Sequence, residues 1–339
     1  MKLEKYKNNP ILSPNPNNDW ESLVTTNPAS YYDEERDEVI LIYRAAGFDK
    51  EHRVNLGIAK SKNGYDFERV SDKPLFEIID GTWDSGSIED PRIVKIDDYY
   101  FITYAAVNSP PGKYWLNEGN NRDTIKDLPP SAPIALRNNE TRTGLAITKD
   151  FKTIYRPGYL TDPTLDDRDV ILFPRKINNQ FVLLHRPLKW VGEKYGTENP
   201  AIWISKCDDL LENKKLSLLA KSEFDWEYKI GGSAPPIETE FGWFMLYHAV
   251  GVDKQYRIGA MLLDLDKPEM VTHRLKNPIM VPEYDYELKG LYNGICFPCG
   301  NFVKGDKLFV YYGGADQYVG VATCNFSNLL NELLENSIK

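Results

Sequence analysis

One kind of segment recurs five times along the chain and restricts the fold more than any other feature of the sequence. It is an apolar strand with a ring-bearing residue next to its end: Leu41-Ile42-Tyr43-Arg44, Ile102-Thr103-Tyr104-Ala105, Leu183-Leu184-His185-Arg186, Met245-Leu246-Tyr247-His248 and Val310-Tyr311-Tyr312-Gly313. Upstream of each lies a second short strand that carries a proline, at Pro28, Pro91, Pro174, Pro236 and Pro298. A polar turn such as Asp97-Asp98 or Asn178-Asn179 joins the two as a hairpin. A third strand follows each hairpin: Leu56–Lys60, Gly144–Thr148, Ala201–Ser205, Ile258–Leu262 and Val319–Thr323. In three units a fourth, edge-like element contains proline, at Lys73–Phe76, Arg156–Tyr159 and Asn277–Met280, where the missing N–H is not needed.

Four strands repeated in five units predict an all-β, five-bladed β-propeller. The last unit stops after its third strand and runs into a short C-terminal helix, Ser327 to Asn336. The N-terminus supplies a match for the missing strand: Asn9-Pro10-Ile11-Leu12-Ser13-Pro14 mirrors Asn277-Pro278-Ile279-Met280-Val281-Pro282. Residues 9–14 are therefore expected to pair with Val319–Thr323 and close the ring. Residues 1–339 are read as one propeller domain, with blades near 22–80, 86–162, 168–224, 230–283, and 292–325 completed by 9–14. A β-sandwich holds as many strands but does not explain the fivefold register.

Aromatic residues reach 12%, which suits β structure and equally suits stacking on the apolar faces of sugars. The net charge of −9, without a long basic run, argues against nucleic acid as a partner. The opening residues contain no apolar signal core, and no window approaches the ~18 apolar residues of a membrane span. A soluble, cytoplasmic protein without a membrane partner is expected; a homo-oligomer is a candidate state. Of the four cysteines only Cys296 and Cys299 have CxxC spacing. With no second pair and no βαβ setting they read as buried thiols in a strand, and no metal site is expected.

Call the strands of a blade A to D from the axis outward. The start of A lies beside the end of B, and both lie with the B-to-C connections on one face, near the central channel. Those places are polar here. Starts of A carry Asn27, Asp90, Arg168 and Lys229; ends of B carry Arg44, Ala105, Arg186, His248 and Gly313, with Asp316 just beyond. Cations facing one another in a narrow channel are destabilising unless an anion sits among them, and Arg with Lys is the natural grip for phosphate. Arg168, Arg186, Lys229 and His248 are read as one anion cradle. Asp90 is the carboxylate expected to act as general acid, a salt bridge with Arg92 being its competing role. Glu89 is the other candidate, but neighbours in a strand point to opposite faces. His185 reads as a core residue in place of tyrosine.

With these residues identified, the chain resembles glycoside hydrolase family 130, the β-mannoside phosphorylase family. The resemblance spans nearly the whole chain. It is carried by Glu89-Asp90-Pro91-Arg92, Arg168-Asp169-Val170 through Leu172-Phe173-Pro174, Leu184-His185-Arg186-Pro187, Lys229-Ile230-Gly231 through Pro235-Pro236-Ile237, Leu246-Tyr247-His248 and Tyr311-Tyr312-Gly313-Gly314-Ala315-Asp316. The resemblance implies that the matching Asp90 donates its proton through the 3-hydroxyl of a mannosyl unit to the glycosidic oxygen. Phosphate would attack the anomeric carbon from the opposite face and give α-mannose 1-phosphate with inversion. Arg168, Arg186, Lys229 and His248 would hold phosphate. Arg44, Asp316 and Asn27 would bind the mannosyl unit, and Tyr104 and Tyr247 complete the substrate-binding set. Inorganic phosphate is then a co-substrate and no cofactor is implied. An inverting glycosidase needs an acid and a base that activates water. Phosphate is already an anionic nucleophile, so one acid and a cationic cradle suffice. β-1,4 and β-1,2 linkages both stay open.

Other functions fit the same scaffold. A β-mannosidase would not depend on phosphate, and a non-catalytic sugar-binding propeller would lose no turnover on Asp90→Asn. A furanosidase-type propeller needs three channel-facing carboxylates, against one strong candidate here. The B-to-C insertion from about Val107 to Arg142, with Tyr114, Trp115 and two proline pairs, is long for a hairpin connection. It is expected to overhang the active face and shape the acceptor subsite.

Overall fold

The computed structural model describes residues 1–117, 122–125 and 128–338. Its strands form five antiparallel sheets, the blades of a five-bladed β-propeller. The first blade has strands A to D at Val24–Asp33, Glu38–Ala46, Val54–Ser61 and Glu68–Arg69. The second has Ser87–Ile96, Tyr99–Val107, Arg142–Thr148 and Ile154–Tyr159; the third has Asp167–Leu172, Phe181–Pro187, Ile202–Cys207 and Ser217–Ala220. In the fourth, strand A is split into Lys229–Gly232 and Ile237–Thr239, both beside Gly242–Val250, and Tyr256–Leu263 and Val271–Leu275 follow. The fifth has Cys296–Lys304, Lys307–Gly314 and Tyr318–Asn325, and takes its outer strand from Glu4–Lys5.

Alternation along each strand gives every sheet two apolar faces, and each face is covered by the next blade. The core is accordingly divided among five large clusters at the blade boundaries. Ile42 and Leu56 of the first blade meet Ile93 and Ile102 of the second. Leu172 and Leu183 of the third meet Val94 and Leu145 of the second. Cys296 and Cys299 lie buried in the fifth blade's strand A, as the spacing argument expects.

The ring closes through the N-terminus, with a shift from the expected residues. Leu12 bridges Val319, and the Ile11 N–H donates to the Val319 carbonyl at 2.8 Å. The regular ladder, however, is Glu4 opposite Thr323 and Lys5 opposite Ala322, upstream of the predicted segment. Pro10 and Pro14 lack N–H groups and cannot sustain a ladder there. Asn9 substitutes for one with its side chain: its amide donates to the Val321 carbonyl at 2.9 Å and accepts the Val321 N–H at 3.0 Å. The mirrored segment behaves alike, since Met280 bridges Ile258. The C-terminal helix, Phe326–Asn336, buries Phe326, Leu329, Leu330 and Leu333 against the fourth and fifth blades.

The recurring ring of strand B has a structural task. Tyr43, Tyr104, Tyr247 and Tyr312 are fully buried, and each stands directly opposite a strand C glycine: Gly57, Gly144, Gly259 and Gly320. A Cβ on Gly57 would lie 2.2 Å from the Tyr43 ring, so only glycine leaves room for the aromatic. Each hydroxyl donates to a buried acid that also takes a cation from strand D. The sets are Tyr43–Glu21–Arg69, Tyr104–Asp84–Arg156, Tyr247–Glu227–Arg274 and Tyr312–Glu287–Lys5. Pairing and hydrogen bonding together offset the desolvation of these charges. Tyr104 and Tyr247 are therefore not part of a substrate site: burial in the blade and hydroxyls held by Asp84 and Glu227 take them away from the channel, contrary to the expectation. In the third blade His185 and Trp203 replace tyrosine and glycine. His185 bridges Asp167 at 2.7 Å and Ser205 at 2.8 Å, all three buried, as a core histidine should be.

Candidate active site

The starts of three A strands share a distortion that exposes their polar residues. Asn27, Asp90 and Asp169 have φ values of 45°, 49° and 51°, and the A–B register slips at each of these positions. Asn and Asp are the residues that best tolerate this left-handed backbone. The bulge also undoes the rule that adjacent side chains face apart. Glu89 and Asp90 consequently both line the same cavity, which Asp169 lines as well. The expectation that Glu89 faces away is corrected, and the acid of the third blade equivalent to Asp90 is Asp169 rather than Arg168.

The cavity has a volume of about 530 Å³ and is lined by residues of all five blades. On one side, three blades bring the expected sugar-side residues together. Asn27 donates to Asp90 at 2.8 Å and to Asp316 at 3.4 Å; Arg44 donates to Asp90 at 3.2 Å and to the Tyr114 hydroxyl at 2.9 Å. Arg44 also lies 3.7 Å from Glu89 and 4.0 Å from Asp316. Burial, reinforced by Asp90 and Glu89, raises the Asp316 carboxyl against the pull of Arg44. Burial works to raise Glu89 too, but Arg122, Arg44 and Arg168 outweigh it and hold the carboxyl below the usual range.

On the other side stand Arg168, Arg186 and Lys229. Arg168 and Arg186 are directly opposite each other in the ladder, a destabilising arrangement for like charges unless each is compensated. Each has its own acid. Arg168 grips Asp166 through two hydrogen bonds, at 2.9 and 3.2 Å, and Arg186 is in close contact with Asp169. Burial would raise Asp169, yet Arg186, His248 and Arg92 hold it well below the carboxylate range. The channel is thus not a bare cluster of cations, as the sequence reading had it, but a set of cations interleaved with acids. Lys229 is the exception: it has no carboxylate within ion-pair distance among the described residues and leans on the Tyr256 ring, 5.7 Å from its centroid. Burial, then the nearby Arg186 and Arg168, push it down to about 8. His248 stands behind the lining, its Nε2 3.5 Å from Asp169 and its ring 4.6 Å from Phe297. Burial pushes it down to about 3, so it is a neutral imidazole.

Several lining residues were not singled out from the sequence. Arg122 pairs with Glu89 at 3.2 Å, and Asn138, Asn139, Glu140 and Thr141 come with it from the Val107–Arg142 insertion, whose Tyr114, named in the sequence reading, also lines the cavity. Residues 118–121 and 126–127 of that insertion lie outside the described residues. Tyr256, Tyr292 and Phe297 supply aromatic wall. The salt bridge foreseen between Asp90 and Arg92 is not formed by the side chains; Arg92 donates to the Asp90 backbone carbonyl. No cluster of His, Cys, Asp and Glu suited to a metal ion occurs among the described residues, and no described helix is long and apolar enough to cross a membrane.

The chain is similar to known proteins along nearly its whole length. A 1,2-beta-oligomannan phosphorylase of Thermoanaerobacter sp. (strain X514) is 35% identical, the alignment covering 97% of this chain and 99% of that protein. A beta-1,2-mannobiose phosphorylase of the same strain is 34% identical over 95% of this chain and 97% of its own length. The solved structure of the Listeria innocua beta-1,2-mannobiose phosphorylase in complex with beta-1,2-mannobiose superposes with a TM-score of 0.77 at 26% identity, covering 98% of this chain and 99% of that one. Residues 2–335 match the family model described as beta-1,4-mannooligosaccharide phosphorylase, and the chain belongs to that family, glycoside hydrolase family 130.

Proposed function

We propose that this enzyme cleaves β-mannosides by inverting phosphorolysis and releases α-mannose 1-phosphate, with β-1,2-linked mannobiose or oligomannan as substrate. The observation that carries the reading is that one cavity brings the Asp90 carboxyl together with a buried cation, Lys229, that has no carboxylate within ion-pair distance among the described residues. Asp90, Asp316 and Glu89 stand with Asn27 and Arg44 at one side, and Lys229 stands beside the acid-paired Arg168 and Arg186 at the other. A sugar ring held between the two presents its leaving oxygen toward the acids and its anomeric carbon toward the cations.

In this reading Asp90 is the general acid and delivers its proton by way of the mannosyl 3-hydroxyl. Asn27 and Arg44 fix its carboxylate, and Arg44 and Asp316 hold the mannosyl hydroxyls. Arg168, Arg186 and Lys229 receive phosphate as a pre-organised anion site, with His248 acting through Asp169. Phosphate arrives charged, so no base is needed to activate it. The β-1,2 linkage follows the likeness to the two Thermoanaerobacter relatives. No cofactor is required in this scheme.

The test is cleavage of a mannobiose panel with and without phosphate. Phosphate-dependent release of mannose 1-phosphate, fastest from β-1,2-mannobiose, is expected. Rapid release of free mannose in phosphate-free buffer would move the chain to the hydrolase reading, and a preference for β-1,4-mannobiose would overturn the linkage.

A further inference from the structure

Arg92 is 3% exposed and does not line the cavity, yet it carries a full charge in the middle of the propeller. A guanidinium has five donors and no acceptor, and burying one is unfavourable unless its donors are matched. Arg92 is matched by four blades at once. It belongs to the second blade, and its Nη1 donates to the carbonyl of Asp90 at 2.9 Å in that blade. Its Nη2 donates to the Asp169 carboxylate at 3.3 Å in the third, and its Nε donates to the Ser233 carbonyl at 3.0 Å in the fourth. Its plane lies over Phe297 of the fifth, 5.5 Å from the ring centroid.

Two of these partners are the left-handed residues that shape the site. Asp90 and Asp169 both need a strained backbone, which persists only when the surroundings over-determine it. One fork of Arg92 holds the first by its carbonyl and the second by its carboxylate. Asp169 in turn contacts Arg186 and lies 3.5 Å from His248. A continuous path therefore runs from the residue read as the acid, through Arg92, to the cations read as the phosphate grip.

We propose that Arg92 is a positioning residue that sets the distance and angle between the Asp90 carboxylate and the Arg186 side of the anion site. The proposal rests on the function proposed above. Displacement of an acid from an attacking group by about 1 Å can cost ~10²-fold in rate. Each subsite keeps its own direct contacts when Arg92 changes, so the loss should appear in kcat and not in either KM. Lysine keeps the charge, but its three N–H donors radiate from one nitrogen and cannot hold three acceptors in a plane.

The experiment compares Arg92→Lys and Arg92→Gln with wild type, measuring kcat, both KM values and the melting temperature, and repeats Arg92→Lys in an Asp90→Asn background. The expected result for Arg92→Lys is a kcat lower by ~10²-fold with both KM values within about threefold. In the Asp90→Asn background the same substitution should cost under about threefold, because the placement of an inert amide no longer matters. Wild-type kcat in a folded Arg92→Lys, a full additional ~10²-fold loss on top of Asp90→Asn, or failure of both variants to fold would each overturn the proposal and leave Arg92 an architectural residue. Wild-type enzyme that hydrolyses mannobiose without phosphate would instead strike the proposed function, while the ratio of variant to wild type stays measurable.

Discussion

Lys229, proposed as part of the phosphate grip, should set the pH dependence of phosphate use. Burial, with Arg186 and Arg168 close by, pushes its ammonium down to about 8. In the empty site it is charged at pH 7, half charged at pH 8 and mostly neutral at pH 9. Bound phosphate favours the ammonium and raises its pKa in the complex, so above pH 8 binding must take up a proton. The sign is then fixed: affinity for phosphate is full below pH 8 and falls as pH rises. From the ratio of protonated to neutral lysine, KM for phosphate, expressed per phosphate dianion because phosphate itself titrates near pH 7, should rise by ~10-fold between pH 7 and pH 9. KM for the mannoside should stay level, because Asn27, Arg44 and Asp316 are the residues proposed to bind that partner. His248, pushed down to about 3, is neutral throughout and adds no limb of its own. Initial rates with phosphate varied at each pH give both constants. Lys229→Arg, whose charge does not titrate in this range, should flatten the rise, and Lys229→Ala should weaken phosphate use at every pH. A phosphate KM that is constant from pH 7 to 9, or an unchanged slope in Lys229→Arg, would refute this account of the cation.

Asp90→Asn keeps the shape of the acid and removes its proton, so turnover should fall by ~10²–10⁴-fold while mannoside binding measured by calorimetry persists; near-normal turnover would point to Glu89 or Asp316 instead. Tyr104→Phe should leave both KM values unchanged and lower stability by about 1.5–3 kcal/mol, the usual worth of a hydrogen bond to a charged group; a changed mannoside KM would return Tyr104 to the site. Gly144→Ala would place a Cβ 2.2 Å from the Trp83 ring and should cost about 1–3 kcal/mol by overpacking, read in urea unfolding. Lys5→Met leaves the buried Glu287 without its cation, and a loss of about 3–5 kcal/mol is expected; an unchanged melting temperature would show that the ring is held without that pair.

The architecture was legible because repetition is visible in one dimension. Five copies of strand B, each with a ring before its last residue, set the blade count, and the Asn-Pro-Ile-Leu match revealed the closure. Two things were hidden. The bulges at Asn27, Asp90 and Asp169 are backbone events, and a rule of alternation applied through them gave the wrong face for Glu89 and the wrong equivalence for Arg168. The tyrosines misled for a different reason. Aromatic residues serve sugars and cores alike, and only the facing glycines, with the acids Asp84 and Glu227, reveal which. That signal was present in Gly57, Gly144, Gly259 and Gly320, but it becomes readable only once strand C is set in register with strand B. Arg122 and Tyr114 come from an insertion without repeat partners, so no symmetry pointed to them.

Ring closure has a consequence for synthesis. Lys5 and Glu287 are 282 positions apart, and at ~5–20 residues per second roughly 15–60 s separate their appearance from the ribosome. For that interval Leu3, Lys5 and Leu12 have nowhere to dock. Once the fifth blade emerges, its Tyr318–Asn325 strand is an unprotected edge until they arrive. The nascent chain is therefore most exposed to mispairing as the fifth blade emerges, when all but the last seam is built. A peptide of residues 1–14 supplied in trans should compete for that seam.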